Sequence, residues 1–114
     1  MPAVQESRAR LTLRDVMKEL HLLSRDEWLF IDASTERITL DLVCSFVATD
    51  DYLDDELNSY CDQNGLKHFF YKDQLRDIKS NLSAQRTEFT ESDLEKAIDY
   101  YWQNDAFIHL YLKT

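Results

Sequence analysis

Six carboxylates fall between Asp50 and Asp62, namely Asp50, Asp51, Asp54, Asp55, Glu56 and Asp62, with no Lys or Arg among them. Side chains of this kind at this density could hold a hard cation, act as an acid/base pair on a glycoside, or meet the cations of another macromolecule. A helix-loop-helix calcium site needs oxygen ligands at alternate loop positions, a central Gly and a closing bidentate Glu. The stretch offers no such spacing and no Gly. Glycoside hydrolysis needs two positioned carboxyl groups across a substrate cleft, and a 13.6 kDa chain leaves little room for one. The remaining chemistry-bearing residues are dispersed. His21, His68 and His109 have no H-x-x-x-H or C-x-x-C partner spacing, so the sequence predicts no zinc site. Asp105 and His109 would share a face at i and i+4 if the tail were helical, as an acid/base pair or half a metal site. Cys44 and Cys61 read as buried free thiols. With one Gly in the chain, neither a Gly-rich phosphate loop nor G-x-S-x-G can be written. No catalytic motif, metal or cofactor is expected, and the residues point to binding.

Charge carries that reading further. The chain has 22 acidic and 13 basic residues, a net charge of −9. Without the six acids of the Asp50 to Asp62 stretch, 16 acids would face 13 bases, so six of the nine net charges sit there. Such a field speeds encounter with a basic partner and repels nucleic acid and anionic membrane. Tyr52 and Tyr60 lie among the acids and offer rigid contact area beside them. The predicted partner-binding set is therefore Asp50, Asp51, Tyr52, Asp54, Asp55, Glu56, Tyr60 and Asp62. The plainer alternative is a solvated surface that maintains solubility.

The elements that must position these residues follow from patterning. Thr12-Leu13-Arg14-Asp15 has the form of a helix start, and Leu13, Val16, Met17, Leu20 and Leu23 recur at helical spacing behind it. Glu27 to Asp32 and Leu42 to Ala48 are rich in β-branched and aromatic residues and read as strands joined by a polar turn. Ile38 to Leu42 alternates, as an early start of the second strand or a short strand of its own. Asp54 is placed to cap a helix running to about Gln63, with Leu57, Tyr60 and Cys61 inward, and Asn64-Gly65 ends it. Lys67 to Tyr71 reads as a third strand. Asp73 opens a helix with Leu75, Ile78, Lys79 and Leu82 on one face. Thr90-Glu91-Ser92-Asp93 caps a last helix with Leu94, Ala97, Ile98, Tyr101 and Trp102 as its stripe. From Ala106 to Leu112 the alternation predicts a closing strand, with a helical continuation as the alternative.

One domain's worth of chain, 114 residues with 44% hydrophobic content, is enough for a core. The expectation is a single compact α+β domain over residues 11–114, with a small, mainly antiparallel sheet packed by about four helices, after a flexible lead-in at residues 1–10. Apolar runs of a few residues, as in Trp28-Leu29-Phe30-Ile31, fall far short of the ~20 that span a bilayer. Met1 to Arg10 lacks the apolar region and cleavage site of a secretory signal. The expected location is the cytoplasm.

Leu11-Thr12-Leu13, Asp26-Glu27-Trp28-Leu29 and the run from Ala97-Ile98-Asp99-Tyr100-Tyr101-Trp102 through Gln103-Asn104-Asp105-Ala106-Phe107-Ile108 resemble a family of small, acidic, functionally uncharacterised bacterial proteins, whose tyrosine-rich last helix is followed by Asn-Asp-Ala-Phe. The likeness spans roughly Leu11 to Leu110 and brings no catalytic residues with it. In size and acidity the chain is also similar in type to immunity proteins that neutralise toxic nuclease domains, including those of contact-dependent growth inhibition. That likeness implies a cognate basic toxin as partner, met by Asp50, Asp51, Asp54, Asp55 and Glu56, with Tyr52 and Tyr60 as anchors. Two further readings stand beside it: a nucleic-acid mimic that inhibits a DNA-binding enzyme, against which Arg76, Lys79 and Arg86 interrupt any long acidic stripe, and a small ligand-binding or metabolic protein, which requires a pocket of convergent polar groups.

Overall fold

Alternation along two strands divides the interior into two halves. In β2 (Glu27–Asp32) and β3 (Val43–Ala48) successive side chains point to opposite faces, so Leu29, Ile31, Cys44 and Phe46 enter one hydrophobic cluster while Phe30 and Val47 enter another. The computed structural model describes residues 4–110 and gives a compact α+β domain built on a four-stranded antiparallel sheet with four α-helices. The strand order is β1-β3-β2-β4, where β1 is Leu11–Thr12 and β4 is Leu66–Tyr71. On one face pack α1 (Leu13–Lys18), α3 (Lys72–Gln85) and α4 (Glu91–Asn104); on the other packs α2 (Asp54–Asn64).

The central strands and helices lie where the patterning puts them. The Thr12 hydroxyl accepts from the Asp15 amide at 3.3 Å and caps α1. After Lys18 the chain tightens into a 3-10 turn, Leu20–Leu22, and still buries Leu20 and Leu23. Thr90 and Asp93 cap α4 reciprocally, each side chain accepting from the other's amide at 3.1 and 3.0 Å. Gly65 ends α2 with φ +63°, the left-handed conformation that a side chain disfavours. Cys44 and Cys61 are both buried and free, and burial raises the Cys44 thiol pKa to about 12.

Four expectations are corrected. Ile38 to Leu42 forms no strand: the Ile38 and Leu40 amides donate to the carboxylates of Asp99 (2.9 Å) and Glu95 (2.8 Å) on α4, so side chains take the place of a neighbouring strand. In α2 the cap is Leu53, not Asp54. From Ala106 to His109 the tail is neither strand nor helix, and Leu110 is in a 3-10 conformation. Asp105 turns left-handed at φ 52°, and the amide side chain of Gln85 brackets the tail, donating to the Ile108 carbonyl and accepting from the Leu110 amide. Asp105 is the C-cap of α4 and His109 lies in the tail beyond it, so the two do not share a helical face. Tyr111 and Leu112 lie outside the described residues, as do Met1 to Ala3. Residues 4–10 have no regular structure, yet they are tied to the sheet: Ser7 donates its amide to the Phe46 carbonyl and Arg8 pairs with Glu27.

A bulge in β4 supplies one more feature of the core. From Trp28 to Phe30 is two steps on β2, whereas their partners Tyr71 and His68 are three steps apart. The extra residue breaks the alternation, so the adjacent Phe69 and Phe70 both enter the cluster under α4, against Trp102.

Candidate protein-binding face

The acidic stretch begins where β3 ends. A 3-10 turn, Thr49–Asp51, follows the strand and is held by the Asp26 carbonyl, which accepts from the Thr49 amide at 3.0 Å and its hydroxyl at 3.1 Å. Asp50 and Asp51 are exposed on that turn. The chain then enters α2, where Asp54, Asp55 and Glu56 form the first turn and complement the free amide hydrogens and dipole there. Glu56 is half-buried because its carboxylate accepts from the Leu53 amide at 2.8 Å.

Helical geometry orders the rest. Leu57, Tyr60 and Cys61 turn inward on Phe30 and Val47, which leaves Asp54, Asp55, Asn58, Ser59 and Asp62 outward. Asp62 stands two turns beyond Asp55 on the same side, about 10 Å along the axis. The structure thus gathers Asp50, Asp51, Asp54, Asp55 and Glu56 around the start of α2, with Asp62 at its far end.

The two tyrosines part company. Tyr52 is half-buried, packs against the core cluster under α2 and accepts from the Gln5 amide at 3.1 Å. Tyr60 is only 6% exposed. Its ring meets Phe30 edge-on at 5.6 Å, and its hydroxyl lies 3.2 Å from Ser45 and donates to Glu6 at 3.0 Å. Burial, reinforced by Glu6 and opposed by Ser45, raises the phenol pKa. Tyr60 belongs to the core under α2 and presents no surface to a partner, because its i+3 spacing from Leu57 puts it on the inward stripe.

A residue that patterning overlooked lies within the acidic stretch. Leu53 is 72% exposed, between Asp50, Asp51 and the first turn of α2. As the residue before the helix it falls on no apolar stripe, and the one available signal was a Leu isolated among carboxylates. Among the described residues these acids also find no cationic partner within ion-pair distance. The described residues form ion pairs at Arg8–Glu27, Arg10–Glu6, Arg14 with Asp41 and Glu91, Arg37–Asp99, Arg76–Asp73 and Arg86–Asp93. None of these uses an acid of the Asp50 to Asp62 stretch.

Among the described residues no group of three or more His, Cys, Asp or Glu side chains is placed to hold a metal ion. His68 packs against Trp28 and Phe30, at 5.9 and 4.6 Å between ring centres. No helix among the described residues is long and apolar enough to cross a membrane.

The model of a family described as Domain of unknown function (DUF7716) matches residues 10–110. The chain belongs to that family. The match runs from the residue before β1 to the Leu110 amide held by Gln85, so the matched region takes in the whole sheet and all four helices. No curated protein and no solved structure matches the chain.

Proposed function

We propose that the face formed by the Thr49–Asp51 turn and α2 docks a basic protein, and that the chain is an immunity-type inhibitor of a cognate, nuclease-type bacterial toxin, working in the cytoplasm. One observation carries this reading: carboxylates that form no ion pair among the described residues flank an exposed leucine along the chain. A nuclease binds a polyanion and so has a basic cleft; ordered carboxylates can cover that cleft and exclude its substrate. Asp50, Asp51, Asp54 and Asp55 would set the association rate, and Leu53, desolvated on contact, would slow dissociation. Truncating one side of a charge pair buried at the centre of such an interface costs ~2–5 kcal/mol.

The test is co-expression with the proteins encoded beside it, scored for growth and for a stoichiometric complex. Rescue of cells from one basic neighbour, together with a salt-sensitive complex, supports the reading. Inhibition of several unrelated DNA-binding enzymes would replace it with nucleic-acid mimicry.

A further inference from the structure

On the face of the sheet opposite α2, the α1 region and α3 border a pocket of about 390 Å³ that is open to solvent. Lys18, Lys72, Arg76 and Lys79 all line it, so four of the 13 basic residues converge on one cavity of a chain with net charge −9. Helical spacing accounts for the convergence, since Lys72, Arg76 and Lys79 stand at i, i+4 and i+7 on one side of α3. Buried Met17 and Leu20 supply an apolar wall, and His21 and Ser80 add side chains able to hydrogen-bond.

The cations there are poorly compensated. Lys18 and Lys79 take part in no ion pair among the described residues. Lys72 donates one hydrogen bond to the Leu23 carbonyl at 2.9 Å and keeps two further N–H donors. Arg76 reaches Asp73 only at 3.5 Å, and that carboxylate oxygen is buried without a hydrogen bond. Glu19, beside Lys18 in sequence, is close enough to Arg8 to raise its pKa further, after the Glu27 hydrogen bond and against burial.

We infer that this cavity binds a small phosphomonoester, its phosphate among Lys18, Arg76 and Lys79 and its organic body against Met17 and Leu20. A dianion with three acceptor oxygens satisfies several ammonium and guanidinium donors together. The volume lies in the range of small-molecule sites. The overall negative field repels a nucleic acid at long range, whereas a small anion inside the cavity lies within a Debye length of about 8 Å of the cations that attract it. The site is independent of the acidic face and stands or falls separately from it.

Phenyl phosphate, inorganic phosphate and phenol are the probes, titrated into the full chain and followed by amide chemical shifts and calorimetry. Phenyl phosphate should saturate one site with a Kd of about 1 mM or below, with shifts confined to residues 17–21 and 72–80. Phosphate alone should bind more weakly, and phenol not at all. The double variant Lys18→Gln/Lys79→Gln retains most of both apolar stems and should raise Kd at least about tenfold, with an unchanged melting temperature. Lys96→Gln on α4 should leave Kd as it is. Shifts that stay linear to about 20 mM, or equal affinity in the double variant, would overturn the assignment. Tighter binding of a short RNA or an acidic peptide at the same residues would overturn the small-ligand class.

Discussion

Replacing Glu27 by Gln tests how the sheet and the start of the acidic face are held together. Glu27 is 3% exposed at the start of β2, opposite Ala48, the residue before the Thr49–Asp51 turn. Burial alone would raise its carboxyl pKa. Hydrogen bonds from Arg8 (2.8 and 2.5 Å), from the Ser7 hydroxyl (2.6 Å) and from the Ser24 amide (2.9 Å) outweigh burial and bring it to about 2. Relative to the ordinary value of 4.5, the difference corresponds to about 3 kcal/mol. Because the folded value is the depressed one, this stabilisation is complete above the unfolded pKa and is lost as pH falls from about 5 toward 2. Glu27→Gln should therefore cost about 2–3 kcal/mol at pH 7, partly because Arg8 loses its partner. The difference from wild type should fall by roughly half by pH 3. Depressed carboxyls elsewhere, at Glu6, Asp32, Asp93 and Asp99, steepen acid unfolding of both proteins and cancel in the difference. Urea unfolding followed by tryptophan fluorescence at pH 7, 5, 4 and 3 gives the comparison. A cost under about 1 kcal/mol at pH 7, or one that does not change down to pH 3, would refute the reasoning.

Other outcomes follow from single contacts. Gly65→Ala should lower stability by about 1 kcal/mol in urea melts through its φ of +63° alone, since an added Cβ would meet no atom within 4 Å. Thr90→Ala removes the hydroxyl that caps α4 and should cost about 1 kcal/mol by the same assay. The Cys44 thiol, raised to about 12 by burial, should resist a thiol reagent at pH 8 in the native protein and react fully in urea; rapid native labelling of Cys44 would contradict its place in the core.

Much of the fold is legible because single elements announce themselves. Glu27 to Asp32, rich in β-branched and aromatic residues, lies on β2 without a residue's difference. Thr90 and Asp93 write the start of α4 in four residues, and Gly65 writes the end of α2. What the sequence conceals is tertiary. Ile38 and Leu40 alternate like a strand, but the carboxylates that satisfy their amides come from α4, nearly sixty residues on. The tail repeats that lesson, since its hydrogen bonds come from the side chain of Gln85.

The candidate face was legible as charge and less so as shape. Helical spacing already put Tyr60 on the inward stripe with Leu57, yet its neighbours' charge made it look like a contact residue. Leu53 and the cationic cavity needed three dimensions: one is a cap residue with no periodic companions, the other joins α1 and α3, whose cations lie more than fifty residues apart in the sequence.

The most direct test of the acidic face is the association rate constant between the chain and the basic partner proposed for it, once recovered by co-expression, measured by stopped flow across ionic strength. Wild type should associate rapidly at low salt and slow steeply as salt rises. Asp54→Asn/Asp55→Asn/Glu56→Gln should slow association by about tenfold at low salt and flatten that dependence. An unchanged rate constant and an unchanged salt slope in the triple variant would contradict the proposed role of this face.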